Sequence, residues 1–268
     1  SYPTQILVSD NFPLGPFTPV DPAKVLLNFE KLCSQYCLLV VIRMKDIKYR
    51  GTCGIPYIAK SKTITRIDDK NKIIEDNGRI FAAPFVEIAC TEIDLRYILR
   101  DYEASEVIVT EAYKSHKGRL PWELRRVCLE YYKKKTALKH VKSDDGSIEY
   151  EYARSKEMLN SCYGMMAQRV DHVAYEYING DYVIKPQTLN EQLDKFYESR
   201  SSFLPYQYGV WVTSLSRQAL QVGLDICGPD TIYCDTDSVF FIGDHQAEFD
   251  ELNRQLTEAA TKAGAIAE

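Results

Sequence analysis

Apolar residues run unbroken from Cys37 to Ile42 and then alternate with polar ones as far as Tyr49. That pattern predicts a long β-strand, buried on both faces at its start and on one face further along. Phe85–Cys90 and Ser105–Tyr113 read as two further strands. Between them, Thr91 reads as a helix N-cap, because Asp94 stands three residues on and Ile93, Tyr97 and Ile98 share one face. The start is punctuated by Pro3, Pro13, Pro16, Pro19 and Pro22, and the polar stretch Lys60–Arg79 predicts a hairpin or a loop.

From Pro121, well placed at a first helical turn, strong helix formers continue to about Lys142. Ser143–Ser147 (SDDGS) reads as a turn, and a second helix is predicted from about Glu149 to Gln168, giving an antiparallel helical hairpin. Another long helix is expected over Gly209–Ile226, ended by Gly228 and Pro229. Thr231–Ile242 then reads as a short β-hairpin, and a final amphipathic helix carries Phe249, Leu252 and Leu256 on one side. The mixture is α+β, and no internal repeat is visible.

The 268 residues are 45% hydrophobic and 26% charged, the composition of a folded protein with a substantial core. The longest apolar run, Ile80–Val86, contains a proline and is far shorter than the roughly 20 residues of a membrane span, so no membrane association is expected. Net charge is −5, which by itself argues against a nucleic-acid partner. The average conceals a segregation: Lys114–Lys142 holds ten basic residues against Glu123 and Glu130, which puts most of the positive charge on the helical hairpin. Eight cysteines are scattered without a CxxC pair, and His116, His140, His172 and His245 have no zinc-like spacing, so buried free thiols in a reducing, cytoplasmic setting are expected.

Two segments carry candidate chemistry. In the 231–242 hairpin, Asp235 and Asp237 would stand together at an exposed tip. Two carboxylates about 5 Å apart repel by roughly 3 kcal/mol at an effective dielectric of 20, a cost that a divalent cation reverses. Magnesium suits such hard oxygen ligands combined with substrate phosphates, although an Asp-rich turn without chemistry fits the same residues. In the second segment, Lys156, Asn160 and Tyr163 fall within about 60° of one another on a helix, offering an ammonium, a carboxamide and an aromatic ring. The lysine can meet a triphosphate, the tyrosine can stack, and Gly164 leaves room for a base pair. An amphipathic core helix with a snorkelling lysine is the alternative.

Together these segments resemble family B DNA polymerases. KEMLNSCYG (Lys156–Gly164) is similar to motif B, KxxxNSxYG, and YCDTDS (Tyr233–Ser238) to motif C, YxDTDS, in the expected order. Ser1-Tyr2-Pro3 is similar to the tail of motif A, DxxSxYP, and Gly209–Arg217 to the GVxxTxxxR helix. The spacing and the stretch CTEIDLRYIL look most like replicases of phages and linear plasmids, many of them protein-primed.

The resemblance implies a palm with a mainly antiparallel sheet backed by helices, plus a two-helix fingers hairpin. Residues 1–120 and 167–268 would form the two parts of the palm and 121–166 the fingers, with a terminal-protein-contacting insertion at about 91–118. It implies DNA-directed transfer of dNMP from dNTP to a primer 3′-hydroxyl by two magnesium ions, or manganese in their place. Asp235 and Asp237 would be the metal ligands and Lys156 the triphosphate ligand; Asn160, Tyr163 and Gly164 would line the nascent base pair, and Tyr2 would exclude a ribose 2′-hydroxyl. If the hairpin turns near Asp145, the residue level with Lys156 is near Lys134 or Lys135; Lys135 is taken as the second triphosphate ligand, with Lys139 next. Partners would be primer-template DNA, dNTPs and a terminal protein, in the host cytoplasm if the chain is phage-encoded. The motif A aspartate is expected before Ser1, and the thumb and exonuclease regions also outside the chain, so the fragment is expected to be inactive alone. A non-catalytic nucleic-acid-binding or assembly fragment is the competing reading; a reverse-transcriptase-like palm shares the Asp-x-Asp logic but does not predict KxxxNSxYG.

Overall fold

A computed structural model describes residues 2–141, 150–167, 173–185, 187–199 and 205–262. The chain begins with α1 (Tyr2–Ser9), the short strands β1 (Asn11–Pro13) and β2 (Thr18–Pro19), and the helices α2 (Pro22–Val25) and α3 (Phe29–Gln35). Next come β3 (Tyr36–Tyr49), β4 (Ile74–Asp76), β5 (Arg79–Thr91), α4 (Glu92–Asp101), β6 (Tyr102–Glu103) and β7 (Glu106–Arg119). The helix pair α5 (Trp122–Leu138) and α6 (Tyr150–Gly164) precedes a hairpin of β8 (Ala174–Ile178) and β9 (Asp181–Lys185). After α7 (Leu189–Glu198) and the long α8 (Tyr206–Cys227), a second hairpin of β10 (Thr231–Asp235) and β11 (Ser238–Phe241) leads into α9 (Gln246–Lys262).

The three strands expected from the apolar pattern are neighbours, with β3 between β5 and β7. Among the described residues the main sheet runs β1-β7-β3-β5-β4, with β2 on β7 and β6 on β3, antiparallel throughout. Alternation along β3 sorts its side chains: Leu38, Val40, Ile42 and Met44 enter a core with Ile80, Val86 and Ile88 of β5 and Leu95 and Ile98 of α4. Cys37 and Leu39, on the other face, join a second core built from α1, α5 and α8, with Leu7, Phe12, Leu129, Trp211 and Val212. The result is the expected α+β arrangement, a mainly antiparallel sheet backed by helices.

β5 is longer than its sequence suggests. Pro84 has no N–H to give the ladder, which argues for a strand beginning after it. Instead the ladder skips this position, passing from Lys45↔Phe85 to Ile47↔Ala83. Opposite the gap, Asp46 takes φ 50° and accepts a 2.7 Å hydrogen bond from Ser105 Oγ. The proline is thus absorbed by a local irregularity in its partner.

Several elements were not expected. The proline-punctuated start folds into α1, because Pro3 falls in the first turn, where its missing N–H costs nothing, and Ile6, Leu7 and Val8 are buried. The hairpin β8–β9 turns on Asn179 and Gly180, both at positive φ, the signature of a tight two-residue turn. α7 opens with a capping box between Thr188 and Glu191. α5 begins at Trp122, with Pro121 in the cap position, and ends at Leu138. The turn expected over Ser143–Ser147 lies outside the described residues. The stretch 91–118 holds the helix and strand expected there, α4 and most of β7, with β6 between them, and β6 and β7 both pair with β3.

Because Leu95 is fully buried where α4 meets β3 and β5, Leu95→Ala is expected to cost about 3 kcal/mol in urea unfolding, from lost transfer energy and the cavity left behind.

Candidate functional site

α8 is tied to α4 along its length. Asp94 is first a local cap: its carboxylate accepts from Thr91 N and Thr91 Oγ1 while Thr91 Oγ1 accepts from Asp94 N. The same carboxylate accepts from Tyr57 Oη at 2.6 Å, Ser214 Oγ at 2.8 Å, and Arg217 Nε and Nη2, both at 2.9 Å. Burial alone would push Asp94 up, but the Arg217 charge and these hydrogen bonds outweigh it and hold the carboxyl below the usual range. One turn earlier on α8, Trp211 Nε1 donates to Glu92, which also accepts from Leu38 N of β3. Burial nevertheless leaves Glu92 above the usual carboxylate range. Toward the far end, Arg100 grips Asp225 with two hydrogen bonds of 2.6 and 2.9 Å. Partner numbers rise together on the two helices, so α4 and α8 run in the same direction.

The helix so fixed holds one candidate segment near each end. Near its start, Thr213 Oγ1 lies 3.2 Å from Tyr163 Oη and donates to Gly209 O, fixing the last turn of α6. A Cβ on Gly209 would come within 2.9 Å of Ala167 Cβ, so only glycine allows this approach. Near the other end, a Cβ on Gly223 would lie 3.2 Å from Val239 Cγ2, where β11 and α9 pack on α8.

The DTD segment forms the predicted tip. β10 and β11 pair from Thr231↔Phe241 to Asp235↔Ser238, leaving a two-residue turn of Thr236 and Asp237. Thr236 takes φ 53°, a left-handed conformation that a β-branched residue rarely adopts. Its hydroxyl donates to Asp235 Oδ1 at 3.0 Å, and Ser238 Oγ donates to Asp235 O at 2.9 Å. Both aspartates are exposed. Asp237 lines a groove of about 730 Å³ with Leu220 of α8, Phe249 of α9, Gln5 of α1 and Tyr132 of α5. The hairpin tip, the chain's first helix and the first helix of the basic pair therefore meet in one place.

The residues of the Lys156–Gly164 segment divide. Lys156, Asn160 and Gly164 line a separate shallow groove of about 640 Å³ along α6, with Tyr152 and Ser161. Tyr163 is not on it: the ring is half-buried in the second core and points to α8. A side chain at Gly164 would meet nothing within 4 Å, so internal packing does not require the glycine. Of the two α5-region lysines singled out by sequence, Lys135 is buried, its ammonium 4.7 Å above the Tyr132 ring, whereas Lys139 is exposed at the end of α5. The Cys128 side chain on α5 interacts with Cys162 on α6 in the second core. Lys134, next to Lys135 on α5, is exposed as well. Tyr2 opens α1, and its side chain lies outside the described residues.

Sequence reasoning took Asp94 as the partner of the Thr91 cap and missed its pairing with Arg217. The available sign was an arginine in the otherwise weakly charged α8 and two acids, Glu92 and Asp94, in the apolar first turn of α4.

No protein-family model matches the chain, and no curated protein does. Solved structures do. Phi29 DNA polymerase in an orthorhombic crystal form matches with a TM-score of 0.60 at 19% identity over 91% of this chain. The same polymerase with primer-template DNA matches at 0.60 and 18% over 91%, and with primer-template DNA and incoming nucleotides at 0.60 and 19% over 90%. At such identities the likeness is one of fold: this chain folds like a portion of the phi29 DNA polymerase chain. It spans 37% of the length of the polymerase chains it matches.

Arg217→Ala is expected to cost about 3–5 kcal/mol at pH 7, because it strands a buried carboxylate. In the parent chain Asp94 has its pKa below the unfolded value of 3.8, so its contribution is present above that pH and lost as pH falls through the lower folded value. Without Arg217, burial raises the pKa instead, and stability declines as pH rises above about 4. The deficit measured by urea unfolding should therefore shrink toward pH 3; a pH-independent deficit would rule Asp94 out as the partner.

Proposed function

We propose that the chain is the palm-and-fingers part of a DNA-directed DNA polymerase of family B, transferring dNMP from dNTP to a primer 3′-hydroxyl. The observation that carries this reading is the strained, exposed Asp235-Thr236-Asp237 tip, held on a helix whose other end holds the KxxxNSxYG segment. The likeness to a polymerase crystallised with primer-template DNA and incoming nucleotides supports it.

Asp235 and Asp237 are hard oxygen donors on an exposed turn, a fitting pair for magnesium or manganese. Among the described residues no group of three or more acidic, histidine or cysteine side chains gathers to hold a metal, so this tip supplies two donors, and a two-metal site takes a further carboxylate. Bound there, the metal would favour ionisation of the primer hydroxyl and offset charge on the leaving pyrophosphate. The chain's own contribution is positional. Lys156 and Asn160 meet the triphosphate and base along the α6 groove, and Tyr163, turned to α8, fixes that helix end. Exposed Lys134 and Lys139 suit phosphate better than buried Lys135. The vacant space beside Gly164 suits a base pair. The basic helix pair faces primer-template DNA. Protein priming, with a terminal protein as partner, belongs to the same reading.

Fluorescence titration of a dNTP tests it. Asp237→Ala should weaken Mg²⁺-dependent binding by ~10-fold or more, while Lys156→Ala should weaken binding both with and without metal. Binding unaffected by Asp237→Ala, with DNA affinity lost only on neutralising Lys133, Lys134 and Lys139, would favour the non-catalytic nucleic-acid-binding reading. Since the described donors are two, primer extension by the 268-residue chain is expected to be slight.

A further inference from the structure

Cys128 and Cys162 are placed for chemistry that nothing in nucleotidyl transfer requires. They sit on α5 and α6, which pack against each other, in the same apolar cluster as Leu129 and Met166, and their side chains interact. Cys128 has no exposed surface at all, whereas Cys162 is half-buried at the border of the cluster. A reagent from solvent therefore reaches Cys162 first, and Cys128 is accessible only from its partner. Electrostatics set the same order. Accepting the Cys128 hydrogen bond pulls Cys162 down to about 7 against the effect of burial, and donating that bond, with burial adding to it, pushes Cys128 up. Burial moves the thiols of Cys33, Cys37, Cys90, Cys227 and Cys234 upward, away from reactivity.

We propose that Cys128 and Cys162 form an oxidation site for hydrogen peroxide, at which a disulfide closes across the two helices of the basic pair. In the first step the Cys162 thiolate attacks one peroxide oxygen. An S–O bond forms, the O–O bond breaks, hydroxide leaves, and the sulfur is oxidised by two electrons to a sulfenic acid. In the second, the Cys128 sulfur attacks Cys162: the S–S bond forms, the S–O bond breaks, and water departs with the Cys128 proton. The disulfide stands one residue before Tyr163, so it would staple α5 to the helix end held by Thr213. The inference holds whether or not the chain is a polymerase part.

The test is peroxide titration of the 268-residue chain, followed by alkylation, proteolysis and peptide mass measurement. The expected product is a linked peptide pair carrying Cys128 and Cys162, about 2 Da lighter than the reduced peptides. It should form ~10-fold faster than oxidation at any other cysteine. In Cys128→Ser, Cys162 should stop at a sulfenic acid trapped by dimedone; in Cys162→Ser, Cys128 should stay reduced. Dimedone trapping of Cys162 in the parent chain without the linked pair, or faster oxidation elsewhere, would overturn the proposal, and that parent measurement decides the matter even if a variant fails to fold.

Discussion

The arrangement of the chain depends on one charge pair. Asp94 and Arg217 are joined in a region with little water, where an ion pair gains little over a well-packed apolar contact but is severe to break. Its value is therefore geometric: the fork of Arg217 accepts one orientation of the carboxylate, and Ser214 and Tyr57 close the remaining positions around it. Asp94 is also the partner of the Thr91 N-cap in the capping box of α4, itself packed on β3 and β5. A single carboxylate thus fixes the start of one helix relative to the sheet and the middle of another relative to the first.

What α8 presents at its ends is less secure than what holds it. The Asp235-Thr236-Asp237 tip is exposed and strained, and the Lys156 and Asn160 side chains face solvent. Groups meant to exchange water for ligand must remain accessible, so their placement has to come from buried contacts elsewhere: Tyr163 with Thr213, Val239 with Gly223, and α1 against α5, α6 and α8.

Features written in neighbouring residues were legible in the sequence. The Thr91 cap, the β3 alternation and the 231–242 hairpin each rest on spacings of a few positions, and the structure has all of them. Features decided by a partner far along the chain were not. Asp94 reads as the partner of the Thr91 cap, but the arginine that also pairs with it is 123 residues away. Helical arithmetic grouped Tyr163 with Lys156 and Asn160; only the presence of α8 shows that the ring turns inward while the other two stay in solvent. Lys135 and Lys134 are adjacent in sequence, yet packing buries one beside Tyr132 and exposes the other. β5 crosses Pro84 because Asp46, on another strand, yields. The Asn179-Gly180 turn is a different case, since its signal was local and was passed over among exposed tyrosines.

Gly209 and Gly223 are the two notches through which α8 receives its neighbours, and they are 14 residues apart. On an α-helix that is about 21 Å of rise, with the two positions within about 40° of each other around the axis. The helix is therefore a ruler with both marks on one side. One residue more or fewer between the marks would turn one notch by about 100° and leave the turn at Met166 and Ala167, or β11, facing the wrong side. A turn added or removed would restore the facing but move one mark by about 5.4 Å along the axis, which makes the 14-residue spacing a more rigid signature of this architecture than the identity of the residues between.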